Sequence, residues 1–313
     1  MDVDAVARRH RPIYWLHAEE SAFPMGLREY VEYCEAVDPD GKPYTTDRLT
    51  PARMHALMQE LGAAPRGATL RVKPEFEPIH RGRPDVDQVP IYTNHYKANG
   101  KHYVNYITCY SYNRPFRVMR FLKVGEHWCD IEHQTLELDA DLKPVRLYYA
   151  AHGGENGVWV AWDDVEKSGD RPVVYVAKGS HASYPKAGYW FRLFGAANDQ
   201  TARGFLWDPA LEPIYDAGQD GYDPDTMGWV RWNRDMGDGH VGALRTKAWW
   251  RRPGAQGESE RGLHMSGNSG ARFDIFQTTM ILMLVWSVAL VFLWAYLYFM
   301  VRRPRGGQYA AVA

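Results

Sequence analysis

His127, Asp130 and Glu132 lie within the stretch "GEHWCDIEHQTLELD", whose composition suits a β-strand. In an extended chain residues two apart leave the same face, so the carboxylates of Asp130 and Glu132 share one, with His127 a short step ahead. Neighbouring acids repel unless water, a base or a cation compensates, and a cation is the most economical explanation. Two more strand-like runs end on an imidazole: "VRLYYAAHGGENG" on His152 and "RPVVYVAKGSHASYPKAG" on His181. Were these three strands neighbours, His127, Asp130, Glu132, His152 and His181 would meet at one sheet end and could hold a divalent metal ion. Carboxylate oxygens favour Ca, Mg or Mn and imidazoles favour Zn, so the identity of the metal stays open. Ser180, His181, Ser183 and Tyr184 are the candidates for contacting a ligand. Taken singly, these residues have plainer readings: acids on a strand are most often a solvated face, and a loop histidine most often bonds neighbouring backbone.

Other catalytic signatures are sparse. In "GSHAS", His181 occupies the place where the elbow of a serine hydrolase needs its nucleophile. The sequence has no P-loop, no G-x-G-x-x-G after a strand and no H-E-x-x-H helix. Cys129 sits beside acids, whose charge disfavours the thiolate a nucleophile needs. The enzymatic reading that remains is a metal-dependent hydrolase, with an ion on Asp130, Glu132 and histidines activating water. The competing reading is a binding or structural module.

The elements that must position these residues read as mainly β. Short runs rich in β-branched and aromatic residues, "RPIYWLH", "QVPIYTNHY", "KHYVNYITCYSY", "IEHQTLEL", "VRLYYAAH" and "RPVVYVAKG", alternate with Gly, Pro, Asn and Asp. This predicts a mainly antiparallel β-sandwich with a few covering helices. One helix is expected in "PMGLREYVEYCEAV" and another in "TPARMHALMQELG", with Thr50 as its cap and Gly62 as its stop. His133 alternates to the face opposite Glu132 and reads as structural.

The loop "RPVVYVAKGSHASYPKAG" resembles the signature of the vacuolar protein sorting-associated protein 62 family, which is related to a plant domain of unknown function. "RPIYWLHAEESAFPMGLREYV" is similar to the family's opening strand, acidic residue and Pro-started helix, "YVNYITCYSYN" to its Tyr-Asn strand, and "HWCDIEH" to its H-x-G-D-W-E-H segment. "ANDQTARGFLWDP" and "WVRWNRDMGD" resemble later Asp, Trp and Gly-Asp landmarks, so the resemblance covers about residues 9 to 255. Cys129 stands where the family usually has Gly, and Ile131 where it has Trp. The resemblance implies a role in protein traffic and no established reaction. A more distant similarity, to the necrosis- and ethylene-inducing-peptide-like proteins, implies a β-sandwich with a divalent metal at His127, Asp130 and Glu132, and less directly at His152 and His181.

Composition narrows the partners. Lysine plus arginine (37) nearly balances aspartate plus glutamate (38), which leaves no overall basic field for nucleic acid. The three widely spaced cysteines fit neither a disulfide framework nor a zinc ribbon. Near the other end, Met280 to Val301 carries no charge, would reach roughly 33 Å as a helix, and is followed by "RRPR". The expected organisation is therefore a β-domain over 1–252, a flexible Gly/Ser-rich linker over 253–273, one C-terminal transmembrane helix over 274–301 and a short basic tail over 302–313. The membrane partner would be engaged through residues 280–301. With no signal peptide evident, the expected topology is a single-pass tail anchor with the large domain on the cytosolic side. Such a protein would bind a lipid headgroup, a glycan or a protein partner in membrane trafficking, or in organising a cellular or virion membrane.

Overall fold

The computed structural model describes residues 2–62, 68–118, 122–152, 157–190, 198–237, 265–266 and 270–301. From the N-terminus, helix α1 (Val3–Arg9) leads into strand β1 (Ile13–Leu16), helix α2 (Leu27–Glu32), strand β2 (Cys34–Val37), helix α3 (Pro51–Leu61) and strand β3 (Thr69–Val72). Then come β4 (Ile91–Ala98), β5 (Lys101–Asn113), the pair β6 (Phe116–Val118) and β7 (Leu122–Val124), β8 (His127–Leu138), β9 (Pro144–Tyr149) and β10 (Val158–Ala161). The next strands are β11 (Lys167–Ser168), β12 (Arg171–Val176), β13 (Ser183–Tyr184), β14 (Gly188–Trp190), β15 (Asp199–Thr201), β16 (Phe205–Trp207) and β17 (Leu211–Pro213). Helix α4 (Pro224–Met227), strand β18 (Met265–Ser266) and helix α5 (Gly270–Val301) complete the described elements.

Two sheets carry the architecture. One runs β10-β9-β8-β5-β4-β17, and the other runs β11-β12-β1-β16 with β13 on β12. Alternation along the long strands decides what each face touches. Val104, Tyr106 and Tyr110 of β5 and Leu136 and Leu138 of β8 share a core with Tyr14, Val174, Val176 and Trp207 of the second sheet, which makes a sandwich. The intervening residues Ile107, Cys109, Cys129 and Ile131 face a second core built by α2, α3 and the antiparallel pair β2–β3. The largest sheet is thus covered on both faces, which explains why β5 and β8 are buried almost throughout.

The expected mainly β architecture with few helices is present, and α3 starts on Thr50, whose side chain accepts from Arg53 N, and stops at Gly62. One detail differs from expectation. The last four residues of "PMGLREYVEYCEAV" form strand β2, not helix, because Cys34 and Ala36 alternate into the core while pairing with β3. The sheets are mainly antiparallel, with β1 parallel to β12 and β17 parallel to β4.

The chain divides into compact units Met1–Asn268 and Ser269–Ala313. The expected tail 302–313 lies outside the described residues, as does the expected linker 253–273 apart from 265–266 and the start of α5. Among the described residues no helix is long and apolar enough to cross a membrane. The expected transmembrane span is therefore not supported among the described residues.

Candidate functional site

Strand β8 opens on His127, and Cys129, which follows two residues later, has φ +60°. That backbone region favours glycine, which gives a physical reason for glycine at this position in the resembling motif, and a non-glycine residue holds it only when its surroundings enforce it. Gly237 provides part of that enforcement: a Cβ on it would lie 2.2 Å from the carbonyl oxygen of Trp128, so only glycine lets this segment close on the strand. His152 and His181 also have positive φ, +51° and +54°, so three strained residues gather around one end of the sandwich.

His181 is fully buried between the sheets. Its ring stacks face to face on Tyr110, with centroids 3.7 Å apart and planes 3° from parallel. Nε2 lies 3.0 Å from the carbonyl oxygen of Ala22, and Nδ1 lies 2.9 Å from Asp130 Oδ2. A carbonyl only accepts, so Nε2 donates to Ala22, while Nδ1 faces the Asp130 carboxylate. Burial alone would push the Asp130 carboxyl up, but the imidazoles of His127 and His181 outweigh it and hold the group well below the usual carboxylate range. His127 stands at the rim, its Nδ1 2.8 Å from the Gly125 carbonyl and its Nε2 3.7 Å from Asp130 Oδ1. The solvated strand face is thereby excluded for Asp130.

The loop that carries His181 is tied down from three sides. Glu20, in the connection after β1, accepts from Ser21 N and Ala22 N through Oε1 and from Gly179 N through Oε2, each at 2.8 Å. Arg114 N donates to Gly179 O at 2.9 Å, and Lys178 pairs with Glu19. On the far side, Asp199 gathers the other candidates: Ser180 Oγ donates to Oδ1 at 2.8 Å, Tyr184 Oη donates to Oδ2 at 2.6 Å, and His152 Nε2 bonds the same oxygen. Ser183 Oγ accepts from Gln134 Nε2 at 2.7 Å, while Gln134 Oε1 accepts from Tyr14 Oη at 2.7 Å, a relay across the two sheets.

The five residues expected to share a metal therefore divide. His127, Asp130 and His181 come together; His152 belongs to Asp199; Glu132 is buried on β8 and acts electrostatically on the Tyr148 hydroxyl. His181 engages its two ring nitrogens with Asp130 and the Ala22 carbonyl, and His152 engages Asp199, so the donor set is not gathered around one cation held by all five. Among the described residues no group of three or more His, Cys, Asp or Glu is arranged to hold a metal. Of the four ligand candidates, His181, Ser183 and Tyr184 are buried in the interior and Ser180 is half-buried. His133 is buried next to Tyr148, with ring centroids 5.8 Å apart. Asp199 and Glu20 were not among the expected site residues, although both lie in family-like landmarks, "ANDQTARGFLWDP" and "HAEES".

The fold and these contacts can be set beside known proteins. Residues 113–210 match the vacuolar protein sorting-associated protein 62 family. That span holds His127, Asp130, His152, His181 and Asp199. The vacuolar protein sorting-associated protein TDA6 of Saccharomyces cerevisiae is 26% identical over 254 residues, which is 67% of this chain and 53% of that protein. The chain thus spans about half the length of this relative. Among solved structures, NLPPya in complex with glucosamine is similar at a TM-score of 0.37, with 13% identity, over 72% of this chain and 76% of that one. Necrosis and Ethylene inducing Protein 2 from the causal agent of cocoa's witches' broom disease is similar at 0.34, with 14% identity, over 66% of this chain and 72% of that one. At those scores neither the fold nor the ligand of these proteins transfers to this chain.

Proposed function

We propose that this protein is a membrane-held binding module of vacuolar protein traffic, a rigid β-framework presenting its surface to a lipid headgroup, a glycan or a protein partner. The observation that carries this reading is the internal use of the candidate cluster. His181 engages both ring nitrogens, Ser180 and Tyr184 give their hydrogens to Asp199, and Ser183 accepts from Gln134. Neither serine faces an imidazole, so these residues lack the pairing of nucleophile and base that acyl transfer requires. They hold three chain segments in register, which is what a binding scaffold needs. Traffic to the vacuole is supported by the family match and by the relative's name.

The membrane part of the proposal rests on α5. The helix has 32 residues, its described apolar side chains are exposed (Trp286 67%, Phe292 70%), and the uncharged run Met280–Val301 precedes "RRPR". The basic flank by itself favours the opposite orientation; in this reading the helix nevertheless anchors the chain with the first unit on the cytosolic side. The test is fractionation of cells expressing the full chain. Resistance to alkaline extraction, together with digestion of the first unit by protease added from the cytosolic side, is expected. Release by alkali would overturn the anchor, and protection of the first unit would overturn the orientation.

A further inference from the structure

A second pair of histidines lies away from the candidate site. On the antiparallel strands β4 and β5, His95 stands opposite Val104 and His102 opposite Lys97, so the two are diagonal neighbours on one face. Their rings are nearly parallel, 10° apart, with His95 Nε2 3.0 Å from His102 Nδ1. Two nitrogens bound at about 2.0–2.1 Å to one ion stand roughly 3 Å apart when they subtend a right angle. Burial, followed by the neighbouring His102 and then Lys97, lowers His95; burial and then Lys97 lower His102; Asp4 acts on His95 in the opposite sense. The pair is thus kept neutral, with lone pairs to give, near pH 7.

His95 also lines a polar cavity of about 320 Å³, with Asp4, Asn94, Tyr215 and Asp220 in its wall. Thr93 lines it too, and its buried hydroxyl has no protein partner. We propose that His95 and His102 chelate a borderline-soft divalent cation, Zn²⁺ or Cu²⁺, at the edge of this cavity, where His95 lines it. In the metal-free pair one facing nitrogen carries the hydrogen that the other accepts. The facing nitrogens now point at each other, so binding moves that hydrogen to the far nitrogen of its ring and turns both rings until their lone pairs converge on the ion, with no change in the pair's own charge. Lys97 opposes the incoming charge, and the carboxylate of Asp4 offsets it. No third His, Cys, Asp or Glu is already placed as a ligand among the described residues, so the ion keeps positions open to water in the cavity. Two imidazoles without a carboxylate cage select against Mg²⁺ and Ca²⁺.

The experiment is calorimetric titration of the purified full chain in detergent with Zn²⁺, Cu²⁺ and Mg²⁺, with thermal unfolding as a second readout. One site for Zn²⁺ or Cu²⁺ and none for Mg²⁺ is expected. His95→Gln and His102→Gln each weaken binding by about tenfold or more. The double variant removes both the site and the metal-dependent rise in Tm while unfolding like the wild type without metal. Asp130→Asn leaves the site intact, which separates it from the cluster on β8. A wild-type chain that binds neither ion at micromolar concentration, or a double variant that binds as the wild type does, would overturn the proposal.

Discussion

Asp130 and Glu137 sit near opposite ends of strand β8, and both are buried carboxylates, yet their charges are compensated in different ways. Asp130 is met by His181, itself fully enclosed, and by His127 at the rim. Glu137 is met by Lys101 Nζ at 2.6 Å and Arg146 Nη2 at 2.9 Å, whose side chains are 45% and 34% exposed and reach in from solvent. Both carboxyls lie below their ordinary range: in each case burial pushes up, and the partners' hydrogen bonds and charges push down further. A charge whose partner is also enclosed cannot recover hydration when the pair is broken. One whose partners already touch water can.

That contrast can be broken at its strongest point first. Asp130→Asn removes the carboxylate that enclosed His181 and rim His127 face and is expected to cost about 3–5 kcal/mol in urea unfolding. The double variant Asp130→Leu, His181→Phe replaces both polar partners with apolar groups and should recover much of that loss. A double variant no more stable than the single would show that enclosure of the pair is not the cause. Acid titration is the next lever. Groups with depressed carboxyl pKa values contribute stability in full above the unfolded pKa, near about 4, and lose it as pH falls toward the folded one. Thermal unfolding should therefore show a decline below that pH in the wild type, with a shallower decline in Asp130→Asn.

Glu137→Gln is expected to cost less, about 1–2 kcal/mol, because Lys101 and Arg146 can turn outward to water. Salt has the smallest effect. Raising ionic strength should reduce the cost of Glu137→Gln by less than about 1 kcal/mol while leaving the cost of Asp130→Asn unchanged, since only the exposed partners are screened. Equal salt sensitivity at both ends of β8 would remove the distinction.

Much of this framework was legible in residue order. The β-runs, Thr50 as a cap and Gly62 as a stop follow from local propensity and alternation, which act over a few residues. The split of "PMGLREYVEYCEAV" into helix and strand was not legible, because pairing of Cys34–Val37 with Thr69–Val72 decides it. His181 of the family-like loop and Asp130 of "HWCDIEH" lie side by side in the fold. The expectation of one shared cluster failed at His152, whose partner Asp199 is 47 positions away, and at His181, whose second nitrogen meets a backbone carbonyl 159 positions away.

Strand alternation alone assigned Asp130 to the face opposite Cys129 and Ile131, since side chains switch faces at every residue whatever the rest of the chain does. Whether that face met water, an ion or an imidazole was decided only when β12 and the Glu20 segment closed over it. Hydrogen-bond partners at such separations depend on sheet register and loop closure, and these exist only in the folded chain.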